Sequence, residues 1–221
     1  MLLAIDTVTR WTGLALFDGT ALLAEWGWRC QNTQTIELAP AVLDLLSRTG
    51  HTMADLTVLT VASGPGSYTG MRVGLGFAKG LALARSLPLI GIPTLDIVAA
   101  GQTATGLPLV AVAEAGRTRL LTGRYRYQAE SGWQATERPI VQSAVELAAA
   151  INEPTLLAGE ISETTRGVIE PEAPQAQFAP APANVRRAGV LAALGWRRWQ
   201  AGELDDPATL VPDYLRPPAG A

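Results

Sequence analysis

The sequence predicts an α/β fold made of two related halves, with mixed sheets carrying helices on their faces and a cleft between the halves. Three observations carry this expectation. The order strand, strand, strand, helix, strand runs through residues 2–61 and returns through 109–158, and apolar strands alternating with amphipathic helices pack as sheets covered by helices. A small, polar stretch from Gly101 to Pro108 separates the two runs. The chain has 221 residues of 48% hydrophobic composition, enough for one large core or two small ones. The repeat is one of topology, with no clear repeat of residues. The expected division is a first half at 1–104, on which the tail 205–221 packs back, and a second half at 105–204.

Each element follows from local signals. Leu2–Asp6 is a short apolar strand. Gly13–Phe17 and Ala21–Trp28 follow, joined at Asp18-Gly19, a two-residue hairpin signal. Asn32 or Thr33 can cap a helix to about Arg48, with Ile36, Ala39, Leu43 and Leu46 at helical spacing. Pro40 kinks that helix or marks its true first turn, and Gly50 ends it. Leu56–Val61 is a β-branched strand, followed by a Gly/Pro turn and a helix from about Thr69 to Arg85. Pro88–Ile92 is a strand, and Thr94 caps a helix to about Ala104. In the second half, strands are expected at Leu109–Ala113, Leu120–Tyr127 and roughly Trp133–Glu137. Ser143 and Glu146 form a capping box opening a helix to Ile151. Thr155–Ala158 is a strand ending at Gly159. Residues 170–183, rich in Pro and Ala, read as a surface loop or a short extended segment. Asn184 caps a last helix to Ala201, with Val185, Ala188, Ala192, Trp196 and Trp199 as its apolar stripe.

Composition excludes several classes of function. The formal net charge is −3, so the chain is not built to grip nucleic acid unaided. One cysteine, Cys30, excludes an internal disulfide framework and a cysteine zinc site, and fits a reducing cytoplasm. The apolar start, Met1 to Ile5, is stopped by Asp6 without a basic lead and reads as a strand, not a signal peptide. No apolar run approaches the roughly 20 residues that span a bilayer. The one histidine, His51, sits beside Gly50 at a helix end and reads as a solvated capping residue. It cannot build a histidine metal cluster.

The stretch from Ser63 to Leu81 is the most informative. Gly64, Pro65 and Gly66 make a tight turn after a strand, and Ser67 or Thr69 can cap the helix that follows. Gly70, Gly74, Gly76 and Gly80 then lie in the helix body. Each costs about 1 kcal/mol against Ala, so on the order of 3–4 kcal/mol must be recovered elsewhere. Close approach of another backbone or a ligand is the usual recovery. The turn is neither a Walker loop nor a Rossmann fingerprint. Asp6-Thr7 at the end of the first strand can meet a phosphate or magnesium ion, or can cap a turn. With Gly64, Gly66 and Ser67 it forms the candidate nucleotide or anion contact. Small residues four apart on the helix admit close packing, inside the chain or against another protein, with Arg72 and Lys79 at its rim. Arg117 with Arg119, and Arg124 with Arg126, alternate on strands. They form a solvated face, or a phosphate or RNA patch usable only within a larger complex. No carboxylate pair stands out as an acid/base dyad; Glu114 is the best isolated candidate, with a turn role as the plainer reading.

These residues resemble a family. Leu3-Ala4-Ile5-Asp6-Thr7, Gly13-Leu14-Ala15-Leu16, the run Gly64 to Gly74, Pro93-Thr94-Leu95 and Pro212-Asp213-Tyr214-Leu215-Arg216 are similar to the TsaB (YeaZ) family. That family belongs to the bacterial machinery that makes threonylcarbamoyladenosine (t6A) at position 37 of tRNA. The resemblance implies a two-lobed actin/Hsp70/sugar-kinase (ASKHA) fold. It implies a non-catalytic subunit that docks on and activates TsaD, the catalytic partner of similar fold, whose metal sits on paired histidines. TsaE, an ATPase, joins the assembly, and self-association can use the same surface. On this chain the implied partner-facing residues are Gly70, Met71, Arg72, Gly74, Leu75, Phe77, Ala78 and Leu81. No cofactor is expected on this chain alone, ATP entering only within the complex. tRNA is reached only through the complex, in the cytoplasm and away from membranes. Two departures stand out: Asn32-Thr33 replaces a common His-Thr/Ser, and Glu114-Ala115-Gly116-Arg117 replaces Asp-Ala-Arg. The rival readings are an ATP-dependent phosphotransferase of the same fold using Asp6 and the glycine turn, and a protease acting on a partner.

Overall fold

The apolar runs assemble into two sheets. The structure, a computed structural model, describes residues 1–30, 33–115 and 119–214; Asn32, Gly116, Arg117, Leu215 and Arg216 lie outside them. The described residues divide into two units, residues 1–93 with 187–213, and residues 94–186 with Tyr214.

In the first unit β1 (Leu2–Asp6), β2 (Trp11–Phe17) and β3 (Leu22–Arg29) form an antiparallel meander. Asp18 makes the tight connection by accepting the Thr20 and Ala21 amides, each at 2.7 Å, while Gly19 takes φ +101°. After α1 (Gln34–Arg48) the chain enters β4 (Val58–Gly64), parallel to β1. Next come α2 (Tyr68–Arg85) and β5 (Leu89–Pro93), parallel to β4. The sheet order is β3-β2-β1-β4-β5. Successive strand side chains alternate between faces. Leu3, Ile5, Leu14, Leu16, Leu59 and Val61 point to one side and join Leu38, Val42, Leu45 and Leu46 of α1 and Leu75, Ala78 and Ala82 of α2 in one core.

The second unit repeats the scheme. It opens with α3 (Thr94–Ala100), β6 (Leu109–Ala115), β7 (Arg119–Gln128), β8 (Gly132–Ala135) and β9 (Ile140–Gln142). It continues with α4 (Ala144–Ala149), β10 (Thr155–Gly159), α5 (Glu163–Glu172) and β11 (Ala176–Phe178). The order β11-β10-β6-β7-β8, with β9 beside β7, mirrors the first sheet. The expected topological repeat is therefore present, and it extends further than the sequence pattern alone: α5 and β11 stand where α2 and β5 stand. The capping box of Ser143 and Glu146 opens α4 as expected.

Several expectations are corrected. The last helix, α6 (Ala188–Gln200), starts four residues after Asn184 and belongs to the first unit. Asn184 is occupied elsewhere: its amide oxygen accepts the Gly159 N–H at 3.0 Å and its nitrogen donates to Ala179 O at 3.1 Å. Arg187 is the N-cap, and the Glu25 carboxylate accepts the Gly189 amide at 2.8 Å in place of a capping side chain. The exchange is reciprocal. Helix α3 follows β5 in sequence, yet Leu95, Val98 and Ala99 belong to the core of the second unit, so the division falls at Pro93/Thr94 and not at 104/105. Residues 205–213 join the first unit. Residues 170–183 hold the end of α5 and then a short extended segment, β11, as one of the two expectations had it. On α1 the buried stripe is Leu38, Val42, Leu45 and Leu46; Ile36, Ala39 and Leu43 face outward.

Candidate functional site

The glycine turn is stitched to the β1–β2 connection by its own chain. Thr7 Oγ1 donates to Gly70 O at 2.7 Å, and the Ser67 amide donates to Val8 O at 2.7 Å. Asp6 Oδ1 accepts the Val8 amide at 3.0 Å, a turn-capping role. Ser67 Oγ accepts the Gly70 amide at 3.3 Å and caps α2. Gly64 sits at φ +108°, a conformation that glycine adopts without strain. Asp6, Thr7 and Ser67 thus spend these groups on Val8 and Gly70, and a Cβ on Gly66 would stand 2.7 Å from Val8 O. Among the described residues no group of three or more His, Cys, Asp or Glu side chains gathers as a metal site.

The helix glycines divide into two sets. A Cβ on Gly70 would stand 2.1 Å from Thr7 O, and one on Gly74 would stand 2.2 Å from Thr7 Oγ1. These two let α2 lie directly on the end of β1. A Cβ on Gly76 or Gly80 would meet nothing within 4 Å. These two lie on the outer face of the helix, as does Arg72, whose guanidinium stacks on Tyr68 and donates to its hydroxyl at 2.8 Å. Of the residues expected at a partner surface, Gly70, Met71, Gly74, Leu75 and Ala78 are buried within the unit, Phe77 and Leu81 are half-buried, and Arg72 is exposed. The physical reason is register: a residue three or four along from a buried glycine shares its inward face.

Both helices of this layer also carry exposed apolar side chains. Helix α1, packed beside α2 on the same core, exposes Ile36 by 71% and Leu43 by 57%. Leu83 of α2 is 64% exposed. Exposed apolar side chains point to an interaction when they gather into one patch and need no explanation when scattered singly. Sequence reasoning missed Ile36 and Leu43 as surface residues because their spacing is as helical as that of the buried stripe.

Arg124 and Arg126 of β7 are engaged. Arg124 Nε pairs with Glu137 at 2.9 Å and its Nη2 donates to Ala150 O at 3.1 Å, while Arg126 pairs with Glu153 at 2.7 Å. This is the solvated-face arrangement. Glu114 is exposed at the end of β6. Cys30 is buried, its thiol donating to Glu37 Oε2 at 3.3 Å. Among the described residues no helix is long and apolar enough to cross a membrane.

Comparison with known proteins agrees with this architecture. The family described as "TsaD: tRNA N6-adenosine threonylcarbamoyltransferase" matches residues 30–186. The tRNA threonylcarbamoyladenosine biosynthesis protein TsaB of Bacillus subtilis is 32% identical over 219 residues, 97% of this chain and 93% of that protein. The Escherichia coli protein of the same name is 40% identical over 100 residues, 45% of this chain and 43% of that one. A Pseudomonas aeruginosa crystal structure, described as similar to peptidase YeaZ, superposes with TM-score 0.81 at 26% identity, covering 97% of this chain and 99% of that one. Component A of (R)-2-hydroxyglutaryl-CoA dehydratase from Acidaminococcus fermentans reaches TM-score 0.53 at 12% identity, over 89% and 98% of the two chains; this likeness concerns the fold alone, of the actin/Hsp70/sugar-kinase type. From the shared length, the matching topology and the identity over nearly the whole sequence, the chain belongs to the TsaB (YeaZ) family, within the wider threonylcarbamoyltransferase-type family marked by residues 30–186.

Proposed function

We propose that the chain is a non-catalytic subunit of the complex that forms t6A at position 37 of tRNA, and that it docks on and activates TsaD. Its family membership supports the pathway. The docking reading is supported by the exposed Ile36 and Leu43 of α1 and by the open space outside Gly76 and Gly80 of α2. Absent side chains on one helix let a second helix approach closely, and apolar neighbours then leave water together. The partner surface is therefore Arg72, Gly76, Phe77, Gly80 and Leu81 of α2 with Ile36 and Leu43 of α1. A transferase subunit of the same fold can present the equivalent pair of helices. A second copy of this chain can do so in its absence. The one histidine, His51, cannot supply paired histidine ligands, which leaves metal chemistry to the partner. The chain alone takes no cofactor in this reading, and ATP enters with TsaE in the assembled complex.

The test is reconstitution. The chain is mixed with TsaD and TsaE of the same organism, association is followed by calorimetry, and t6A formation is assayed with each subunit omitted. Leu43→Asp places a charge on the exposed face without touching the core, and is expected to weaken docking at least about tenfold. Association unchanged by Leu43→Asp removes this face as the docking surface. t6A formation that proceeds without the chain removes the assignment.

A further inference from the structure

The chain has 17 Lys and Arg residues, of which one, Lys79, is a lysine. It lies on α2 and reaches a segment far away in sequence. Lys79 Nζ donates to Leu210 O at 2.9 Å and approaches Ala208 O at 3.5 Å. An ammonium is a compact charge with three donors and can gather carbonyl oxygens from several directions, whereas a guanidinium suits paired oxygens in a plane. Lysine is the fitting cation here.

The segment it holds, residues 205–213, is fastened at two other places. At the edge of β5 the Asp205 amide donates to Leu89 O at 2.9 Å. Asp205 Oδ2 accepts the Gly91 amide at 2.8 Å, and Arg198 Nη1 donates to Gly91 O at 2.7 Å. Backbone groups of an edge strand are thereby covered by side chains. At the far end the Asp213 amide donates to Ser63 O at 2.9 Å. Asp213 O there stands 3.1 Å from where a Cβ on Gly64 would be. Two of the three fastenings, Lys79 and Ser63, lie on α2 or directly before the glycine turn that leads into it.

We propose that residues 205–213 form a strap that sets the position of α2, with Lys79 as the positioning residue that couples the strap to the docking face. The inference rests on the docking reading above and adds how that surface is controlled. Because Gly76 and Gly80 give α2 no packing on its outer side, the helix depends on its inner contacts and on the strap to hold its place. Only the strapped form docks. The apparent dissociation constant is then the intrinsic one divided by the strapped fraction, and the bound partner in turn tightens the strap.

The experiment uses the full chain and two independent readouts. Lys79 is the one side-chain amine, so an amine-selective reagent followed by mass spectrometry reports strap opening without any partner. Asp205→Ala, with Arg198→Ala as a second edge variant, loosens the strap at β5 and leaves α2 untouched. Lys79→Met removes the charge and keeps the aliphatic stem, and Lys79→Arg keeps the charge. Thermal melts establish that each variant folds. Asp205→Ala is expected to label Lys79 about tenfold faster and to dock on TsaD about tenfold more weakly, a difference of about 1.4 kcal/mol. Lys79→Met should dock as weakly, and Lys79→Arg should fall between it and the wild type. Unchanged labelling in both edge variants overturns the strap. Faster labelling with unchanged docking overturns its coupling to α2. Weaker docking in Lys79→Met alone, with both edge variants docking normally, overturns it too, since Lys79 then meets the partner directly. A wild-type chain that does not bind TsaD overturns the docking reading and the coupling with it, while the labelling still judges whether the strap opens.

Discussion

Exchanging the glycines of α2 for alanine should split them into two groups of opposite sign. Gly76 and Gly80 have no atom within 4 Å of the added Cβ. Each alanine there recovers the helix-propensity difference of about 0.8–1.0 kcal/mol, so the double variant is more stable by about 1.5–2 kcal/mol. For a chain of this size that raises the melting temperature by roughly 3–8 °C. Gly74→Ala drives a methyl group to 2.2 Å from Thr7 Oγ1. Thr7 is 1% exposed and cannot swing into water. Moving it breaks the 2.7 Å bond to Gly70 O. Overpacking costs about 1–3 kcal/mol and the lost buried hydrogen bond about 1 kcal/mol. Against the same propensity gain, the net loss is about 1–3 kcal/mol. Circular dichroism melts and urea titrations of the double variant and of Gly74→Ala measure this, and calorimetry with TsaD completes it. On the proposed docking face the stabilised double variant should dock about tenfold more weakly, because its two methyl groups would fill the space a partner helix would use. A double variant that melts below the wild type, or a Gly74→Ala variant that melts with it, would refute the division of the helix into an inner and an outer glycine face.

Glu25 should give a pH-dependent effect. Burial pushes its carboxyl up, but the Arg187 hydrogen bond, the Gly189 amide and the Arg187 charge together hold it below its ordinary value of 4.5. Its contribution is therefore complete above that value and is lost as pH falls through the lower folded-state value. Glu25→Gln should cost about 1–3 kcal/mol at pH 7, and its difference from the wild type should shrink as urea melts are taken below pH 4.5. Arg126→Ala should change stability by no more than about 0.5 kcal/mol. Both members of its pair with Glu153 are more than half exposed, and a larger loss in thermal melts would show that the pair has a structural role.

The order of elements, the Asp18-Gly19 hairpin, the Ser67 cap of α2 and the Ser143–Glu146 capping box were legible in the sequence, because each depends on residues within one or two turns of one another. Membership of the family was legible for the same reason, since its longest motif is one continuous run. The faces of the helices were not. On α1 both Ile36, Ala39 and Leu43 and Leu38, Val42 and Leu45 stand at helical spacing, and periodicity identifies an apolar face without saying which of two is covered. The glycines of α2 signalled close approach. What approaches, Thr7 at one pair and open space at the other, depends on a strand more than sixty residues away. The exchange of α3 and α6 between the units, the use of Glu25 as a remote cap and the hold of Lys79 on residues 208–210 are likewise pairings of distant segments. Local sequence states which groups need partners; only the packed tertiary structure decides which partners come within reach, because burial, not chain proximity, sets who meets whom.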